Sequence, residues 1–312
     1  MLKYSLKRLA VGVLLVVVVS ILVFLLVYMM PGDPVDILAG PRVSQERKEE
    51  IRAIYGLDQP LTEQYLMWVK RLFHGDFGTS ISTKQNIGST LGQRIPLTLK
   101  LSGLALFFEL LLGVPLGLLA AYKKDSLLDR FLMWFSSILQ AVPGFWLAMA
   151  MVLVFSVSLK ILPLNGFETP NHFVLPVATM VLGGMTGLIR LTKSEVLEVS
   201  REKYVLTAYA KGLSDRQVAL RHVLRNSLIT VVVLLLMDIP WLISGSIIIE
   251  NVFVIPGMGN YLTNAIIKQD FPVIQACVLI ISILTVVCNL LSDLVTAALD
   301  PRIRIEMTED TK

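Results

Sequence analysis

An all-α integral membrane protein with six transmembrane helices is the fold class this sequence predicts, on three observations. Hydrophobic residues make up 54% of the 312-residue chain and charged residues only 17%, against roughly 25% charged in soluble domains; the mean hydropathy is +0.69. The apolar residues are gathered into six runs near the length of about 20 residues that a spanning helix needs. The lysines and arginines favour one side of those runs.

The first run, Leu9 to Met30, follows Lys3, Lys7 and Arg8. A signal peptide has a core of about 7–15 residues and a small-residue cleavage site. This run is longer and ends in Pro31-Gly32-Asp33-Pro34, so residues 1–30 read as a cytoplasmic amino terminus and a first span. Residues 31–96 form an extracytoplasmic helical segment. Within it, SQERKEEIRAIYGL reads as a helix capped at Ser44 with the stripe Ile51, Ile54 and Tyr55. LTEQYLMWVKRLFHG reads as a second helix, ended by Gly75, with Tyr65, Trp68, Val69 and Leu72 on one face.

Residues 97–299 carry five more spans. The second, about Leu97 to Tyr122, contains Glu109 and the small pair Gly113 and Gly117. The third, Phe131 to Leu159, is expected to kink or break at Pro143-Gly144. The fourth, Phe173 to Leu191, carries Gly183, Gly184 and Gly187, which would let helices approach closely. The fifth runs from Ser227 to Ile249, and the sixth from Pro272 to Leu299. A charged cytoplasmic tail, residues 300–312, follows.

Placing both termini in the cytoplasm puts 17 of the 28 lysines and arginines on that side, at 3–8, 123–130, 190–225 and 302–312. Counted over short loops, this is the positive-inside pattern.

No G-x-x-x-x-G-K-[ST] phosphate cradle occurs, nor H-E-x-x-H or C-x-x-C. His74, His172 and His222 are dispersed. Cys277 and Cys288, eleven residues apart on one helix, stand roughly 16 Å apart, beyond the about 7 Å of a disulfide. No catalytic, cofactor or metal site is expected, and nothing points to nucleic acid. Two acids lie within spans, Glu109 and Asp238. A charge at mid-bilayer costs about 2.5–3.5 kcal/mol, so each is a candidate either to line a path or to bridge helices. Pro240 beside Asp238 predicts a break in the fifth span or a packing kink.

The remaining feature is a basic loop, 192–226, and within it Tyr204 to Asn226, YVLTAYAKGLSDRQVALRHVLRN. It reads as two short helices meeting at Gly212-Leu213-Ser214, the second capped by Asp215. Anchoring to lipid headgroups explains its charge. It does not explain the stripe Val205, Ala208, Tyr209 and Leu213, or the small Ala208 and Gly212, which suit a helix that inserts into a groove of another protein. Ala208, Tyr209, Gly212 and Leu213 are the expected contacts. Tyr204, Val205, Thr207, Lys211, Arg221, His222, Arg225 and Asn226 complete the candidate docking loop.

YVLTAYAKGL…VALRHVLRN resembles the cytoplasmic loop of ABC-importer permeases, in the form used by the dipeptide, oligopeptide, glutathione and nickel branch. The resemblance extends to KRLA with PGDP, YGLDQPLTEQYLMWV, GDFGTS, GVPLGLLAA, PGFWLAM, LPLNG, IENVFVIPGMGN, DFPVIQA, NLLSDLV and DPRIR, nearly the whole chain and in order. The wider family's E-A-A-x-x-x-G, aligned on Gly212, is here Leu206, Thr207 and Ala208, and Asp238 with Pro240 departs from the usual small or uncharged residues. The resemblance implies the type I importer permease fold in a bacterial or archaeal cytoplasmic (inner) membrane. Its implied partners are a second homologous permease, two cytoplasmic ATPase subunits holding ATP and Mg, and an extracytoplasmic substrate-binding protein. Residues 204–214 would be the coupling helix seated in an ATPase groove, and peptides the expected cargo. Nickel or a metal–metallophore complex is the alternative within the branch. An ion-coupled secondary transporter using Glu109 and Asp238, or a non-transporting scaffold, are the alternatives outside it.

Overall fold

Helices form every regular element among the described residues of this computed structural model, namely residues 2–29, 35, 44–55 and 58–299. In chain order they are α1 (Leu2–Met29), α2 (Gln45–Tyr55), α3 (Leu61–Phe73), α4 (Ile87–Tyr122), α5 (Leu127–Ala141), α6 (Gly144–Met151), α7 (Asn171–Val199), α8 (Lys203–Ala210), α9 (Asp215–Val218), α10 (Arg225–Val252), α11 (Met258–Ile267) and α12 (Phe271–Leu299). Two π-helical stretches complete the set: Val152–Ser158 continues α6, and Ala219–Leu224 joins α9 to α10. PGDP, the DPRIR tail and the side chains of Ile51, Ile54 and Tyr55 lie outside the described residues.

Five helices are each long and apolar enough to cross a membrane: α1, α4, α7, the run from α9 into α10, and α12. The expected third span is the pair α5 and α6, bent by 102°. Its cause is local. Proline lacks an N–H and disfavours helical backbone in the residue before it. Val142 is accordingly extended (φ −87°, ψ 123°), and Pro143 opens α6, its carbonyl accepting the Leu147 N–H at 3.1 Å. Of the two alternatives at Pro240, a break or a packing kink, the break does not occur: α10 continues through that residue, as a membrane helix can where it loses one hydrogen bond. α4 and α7 also outrun their expected spans, starting at Ile87 and ending at Val199. Asn86 caps α4, its Oδ1 accepting the Ser89 N–H at 2.9 Å.

α4 and α7 form the central pair. A Cβ at Gly117 would stand 2.6 Å from the Thr192 Cβ and 2.8 Å from the Ile189 carbonyl, and one at Gly113 would stand 2.9 Å from Leu188 Cδ2. Only glycine permits this crossing. From the other side, a Cβ at Gly184 of α7 would collide with the Glu109 carboxylate of α4. Gly183 meets nothing and Gly187 only Gln140 Nε2 at 4.0 Å, so of the three α7 glycines expected to admit a neighbour, Gly184 alone does. Around the pair, Leu101, Ala105, Ala148, Phe173, Val181, Ile189, Ile249 and Phe253 make the main core. α1 lies against α12, with Gly12 close to Val286 and Arg8 paired to Asp293 at 3.0 Å.

On the face opposite the amino terminus, two buried acids tie distant segments together. Asp270, between α11 and α12, accepts hydrogen bonds from Ser80 Oγ (2.6 Å), Ile81 N–H (3.0 Å), Ser82 N–H (3.0 Å) and Ser82 Oγ (2.8 Å). The GDFGTS and DFPVIQA segments are therefore two sides of one contact. Ile81, Ile87 and Leu91 pack there against Met258, Tyr261 and Phe271. Glu250, at the end of α10, accepts from Thr98 Oγ1 at 2.6 Å and from the Asn260 N–H at 3.0 Å. Its carboxylate fills the place a side chain on Gly257 would take. The IENVFVIPGMGN segment thus closes on its own glutamate.

Burial by itself would raise the Asp270 pKa, but the hydrogen bonds from Ser80, Ser82 and Ile81 outweigh it and hold the carboxyl below its usual value. A lowered pKa means stabilisation that is complete above the unfolded value, about 3.9, and lost as pH falls through the folded one. Asp270→Asn is therefore expected to melt below the parent chain at neutral pH. The gap between their melting temperatures should narrow only below about pH 4, as thermal scans of both proteins across pH would reveal; a gap independent of pH would refute the electrostatic account.

Candidate docking site

The loop between α7 and α10 folds as a unit. α8 ends in a Schellman turn: Gly212 has φ +79°, its N–H reaches the Tyr209 carbonyl at 2.9 Å, and the Leu213 N–H reaches the Ala208 carbonyl at 3.4 Å. A side chain at Gly212 would meet open space, so the glycine serves the left-handed backbone rather than a close contact. Ser214, not Asp215, caps α9, its N–H donating to Gln217 Oε1 at 3.1 Å. Asp215 occupies the first turn, where its charge suits the helix dipole.

Three residues of the expected contact stripe, Val205, Ala208 and Leu213, face inward, while Tyr209 is exposed. Val205 is 1% exposed and Ala208 4%, and both pack with Ala121 of α4, Val196 of α7, Val218 of α9 and Val223. Leu213 leans on the same cluster. These three are corrected from docking residues to the fastening that holds α8 on the ends of the spans. The reason is that an eight-residue helix with apolar residues at 205, 206, 208 and 209 has two apolar faces, and the chain's own valines claim one. The face left outward carries Lys203, Leu206 (61% exposed), Thr207 and Ala210, flanked by Tyr204 and Tyr209. Leu206 is the residue the sequence reading missed. Its signal was available in that second apolar face.

Of the other loop residues, Tyr204, Thr207, Tyr209, Lys211, Gly212, Arg221, Arg225 and Asn226 are exposed and His222 is half-buried. Asn226 Nδ2 donates to the Tyr204 hydroxyl at 3.1 Å and to the His222 carbonyl at 2.7 Å, tying the start of α10 to α8. Two basic residues that had served only as topology markers have structural partners. Lys193 of α7 pairs with the buried Asp129 of α5 at 2.5 Å, and Asp129 also accepts the Asp125 N–H at 2.9 Å. Arg190 donates to Gln140 Oε1 at 2.6 Å and Ser137 Oγ at 3.0 Å. α5 is thereby strapped to α7 just before the loop.

The two intramembrane acids separate. Glu109 is 6% exposed, wedged between α4 and Gly184 of α7, and its Oε1 has no hydrogen-bond partner among the described residues. It bridges helices. Asp238 is exposed on α10, within electrostatic reach of Glu109.

The loop folds onto the ends of its spans and presents an apolar ridge outward at Leu206. Comparison with known proteins places the whole chain. Residues 113–305 match the family described as binding-protein-dependent transport system inner membrane component, and residues 1–102 match its amino-terminal counterpart. The oligopeptide transport system permease AppB of Bacillus subtilis is 34% identical over 96% of this chain and 98% of its own. The dipeptide transport system permease DppB of Lactococcus lactis is 35% identical over 98% and 100%. The glutathione transport system permease GsiC of Salmonella typhimurium is 36% identical over 97% and 99%. Among solved structures, the MetNI methionine ABC transporter in inward-facing conformations shares the fold, with a TM-score of 0.59 at 18% identity over 67% of this chain and 96% of that one. Membership of the family of binding-protein-dependent transport system inner membrane components follows, and this chain is a multi-pass permease component of an ABC importer, not itself the ATPase.

Proposed function

We propose that this chain is the membrane subunit of an ATP-driven importer for di- and oligopeptides. The observation that carries the reading is end-to-end similarity to permeases named for oligopeptide, dipeptide and glutathione transport. All three cargoes are peptides, which disfavours nickel or a metallophore. The family match likewise disfavours an ion-coupled transporter built on Glu109 and Asp238, and a scaffold without transport.

In this reading the termini, α8 and α9 face the cytoplasm of a bacterium or archaeon, and α2, α3 and α11 lie outside. A second homologous permease, two ATPase subunits holding ATP and Mg, and an extracytoplasmic binding protein complete the importer. The outward face of α8, centred on Leu206, Thr207 and Tyr209, seats in a groove of one ATPase. Because Val205 and Ala208 share a core with α4, α7 and α9, displacement of α8 is passed to the spans as rigid-body motion. The Asp129–Lys193 pair carries it on to α5. Asp238 remains the candidate for the peptide path; Glu109 is assigned to helix bridging.

The test is uptake into proteoliposomes of the full complex with binding protein and labelled dipeptide. Uptake should require ATP inside and persist when the proton gradient is collapsed. Uptake that needs no nucleotide and disappears with the gradient would overturn the reading, and transport of nickel but no peptide would overturn the cargo.

A further inference from the structure

α3 lies outside the six spans, and its position relative to α1 is fixed by aromatic contacts. The Phe24 ring of α1 meets Tyr65 edge-on at 5.5 Å between centroids and Trp68 at 6.0 Å. Beyond Phe24, the Tyr65 hydroxyl reaches Ser20 Oγ at 2.8 Å. The apolar span within α1 runs from Ser5 to Leu25. Phe24 therefore lies within the hydrocarbon-crossing stretch, and Ser20 is about 6 Å deeper along the helix. A helix about 10 Å across that touches both cannot stand clear in water above the membrane.

The sequence of α3 fits that depth. At 100° per residue, Trp68, Leu61, Leu72, Tyr65, Val69, Phe73 and Leu66 span an arc of about 160°, while Glu63, Lys70, Arg71 and Gln64 lie on the other side. One end of the apolar arc, Trp68 and Tyr65, is spent on α1. The other end is uncovered: Leu66 is 63% exposed and Phe73 is 86% exposed. Deeper on the same face of α1, at helical spacing from Phe24, Val17 and Val13 are exposed as well.

We propose that α3 is an interfacial helix lying in the leaflet opposite the amino terminus, with Leu66 and Phe73 inserted at the boundary between headgroups and acyl chains. Lipid is the occupant because the contact with Phe24 and Ser20 sets the helix at bilayer depth. Interfacial helices bury their apolar face about 5–10 Å into this boundary, and tyrosine with tryptophan is the pair that favours it. Lys70 and Arg71, on the polar side, are placed for lipid phosphates. The inference needs α1 to span the membrane, and it uses the orientation proposed above only to name this leaflet the outer one. Its consequence is mechanical: the segment from 58 to 86 is held at two points, to the bilayer by α3 and to the start of α12 by the Ser80–Asp270 contact.

Site-directed spin labelling tests this in the full-length chain in phosphatidylethanolamine–phosphatidylglycerol vesicles, with Cys277 and Cys288 first replaced by alanine. Labels at Leu66→Cys and Phe73→Cys should be severalfold more accessible to oxygen, relative to a water-soluble nickel chelate, than labels at Glu63→Cys and Lys70→Cys. Chelate accessibility at 66 and 73 equal to that at 63 and 70 would place the helix in water and overturn the proposal. Labels at 66 and 73 immobilised and shielded from both reagents would overturn it too, by showing a protein there. Peptide uptake plays no part in the readout, so failure of the transport reading leaves this result interpretable.

Discussion

Glu250→Ala is expected to destabilise the folded chain by about 3–5 kcal/mol. Glu250 is fully buried, and its carboxylate gathers the Thr98 hydroxyl, the Asn260 N–H and the Ser246 hydroxyl, at 2.6, 3.0 and 3.3 Å. Truncation leaves those donors inside the protein without an acceptor, at about 1–3 kcal/mol for each that finds no substitute, and opens a cavity beside them. The damage is not local. Thr98 Oγ1 also accepts the Met258 N–H at 2.9 Å, so the start of α11 comes loose from α4 together with the end of α10. Thermal unfolding of the purified chain in detergent would measure it, and an unchanged melting temperature would show that the network is dispensable. A second variant sharpens the test. Gly257→Ala drives a methyl group into the same carboxylate, so each single change should destabilise. The double variant should lose less than the sum, because the methyl then occupies vacated space.

Leu206→Asp together with Tyr209→Ala is expected to abolish ATP-driven uptake while leaving the melting temperature within a degree or two of the parent's. Both side chains point away from the protein's own core, and surface changes of this kind stay within about 0.5 kcal/mol in folding. Seated in a groove of the ATPase, an aromatic or apolar anchor is worth about 2 kcal/mol or more, and a buried carboxylate without a partner costs further. The expected reading is loss of co-purification with the ATPase subunits and a fall in uptake of at least about 30-fold. Normal co-purification and normal uptake would remove α8 from the docking role. Val205→Asp is the contrasting variant: it breaks the shared valine cluster, so it should lower stability before it touches assembly. Gly212→Asn should be milder than Gly212→Val, since asparagine tolerates the left-handed backbone and a β-branched residue does not.

What the sequence made legible was whatever is written locally. Six apolar runs, the corner at Pro143, the glycine stop after α8 and the close pair Gly113 and Gly117 all follow from neighbours along the chain. What was not legible depends on partners far away. Asp270 meets Ser80 across 190 residues, Thr98 meets Glu250 across 152, and Lys193 meets Asp129 across 64; no spacing rule connects them. The docking face failed for a different reason. Periodicity found that α8 is apolar, but the side it turns inward is decided by Ala121, Val196 and Val223, which lie on other helices or beyond the turn. At Pro240 a local rule left a break or a packing kink open, and the helix runs through that residue without a break.

The crossing of α4 and α7 restricts how this molecule can change shape. Leu188 and Thr192 of α7 enter the notches at Gly113 and Gly117, and Glu109 of α4 enters the notch at Gly184. Each helix is thus keyed into the other in two directions, like opposed teeth. Sliding one along the other would have to lift every key at once, so shear between them is barred and they travel as one block. Any alternation of access must then come from rotation at unkeyed joints. The chain supplies three candidates: the extended corner at Val142, and the two π-helical stretches at 152–158 and 219–224, where the hydrogen-bond ladder is already loosened by one residue.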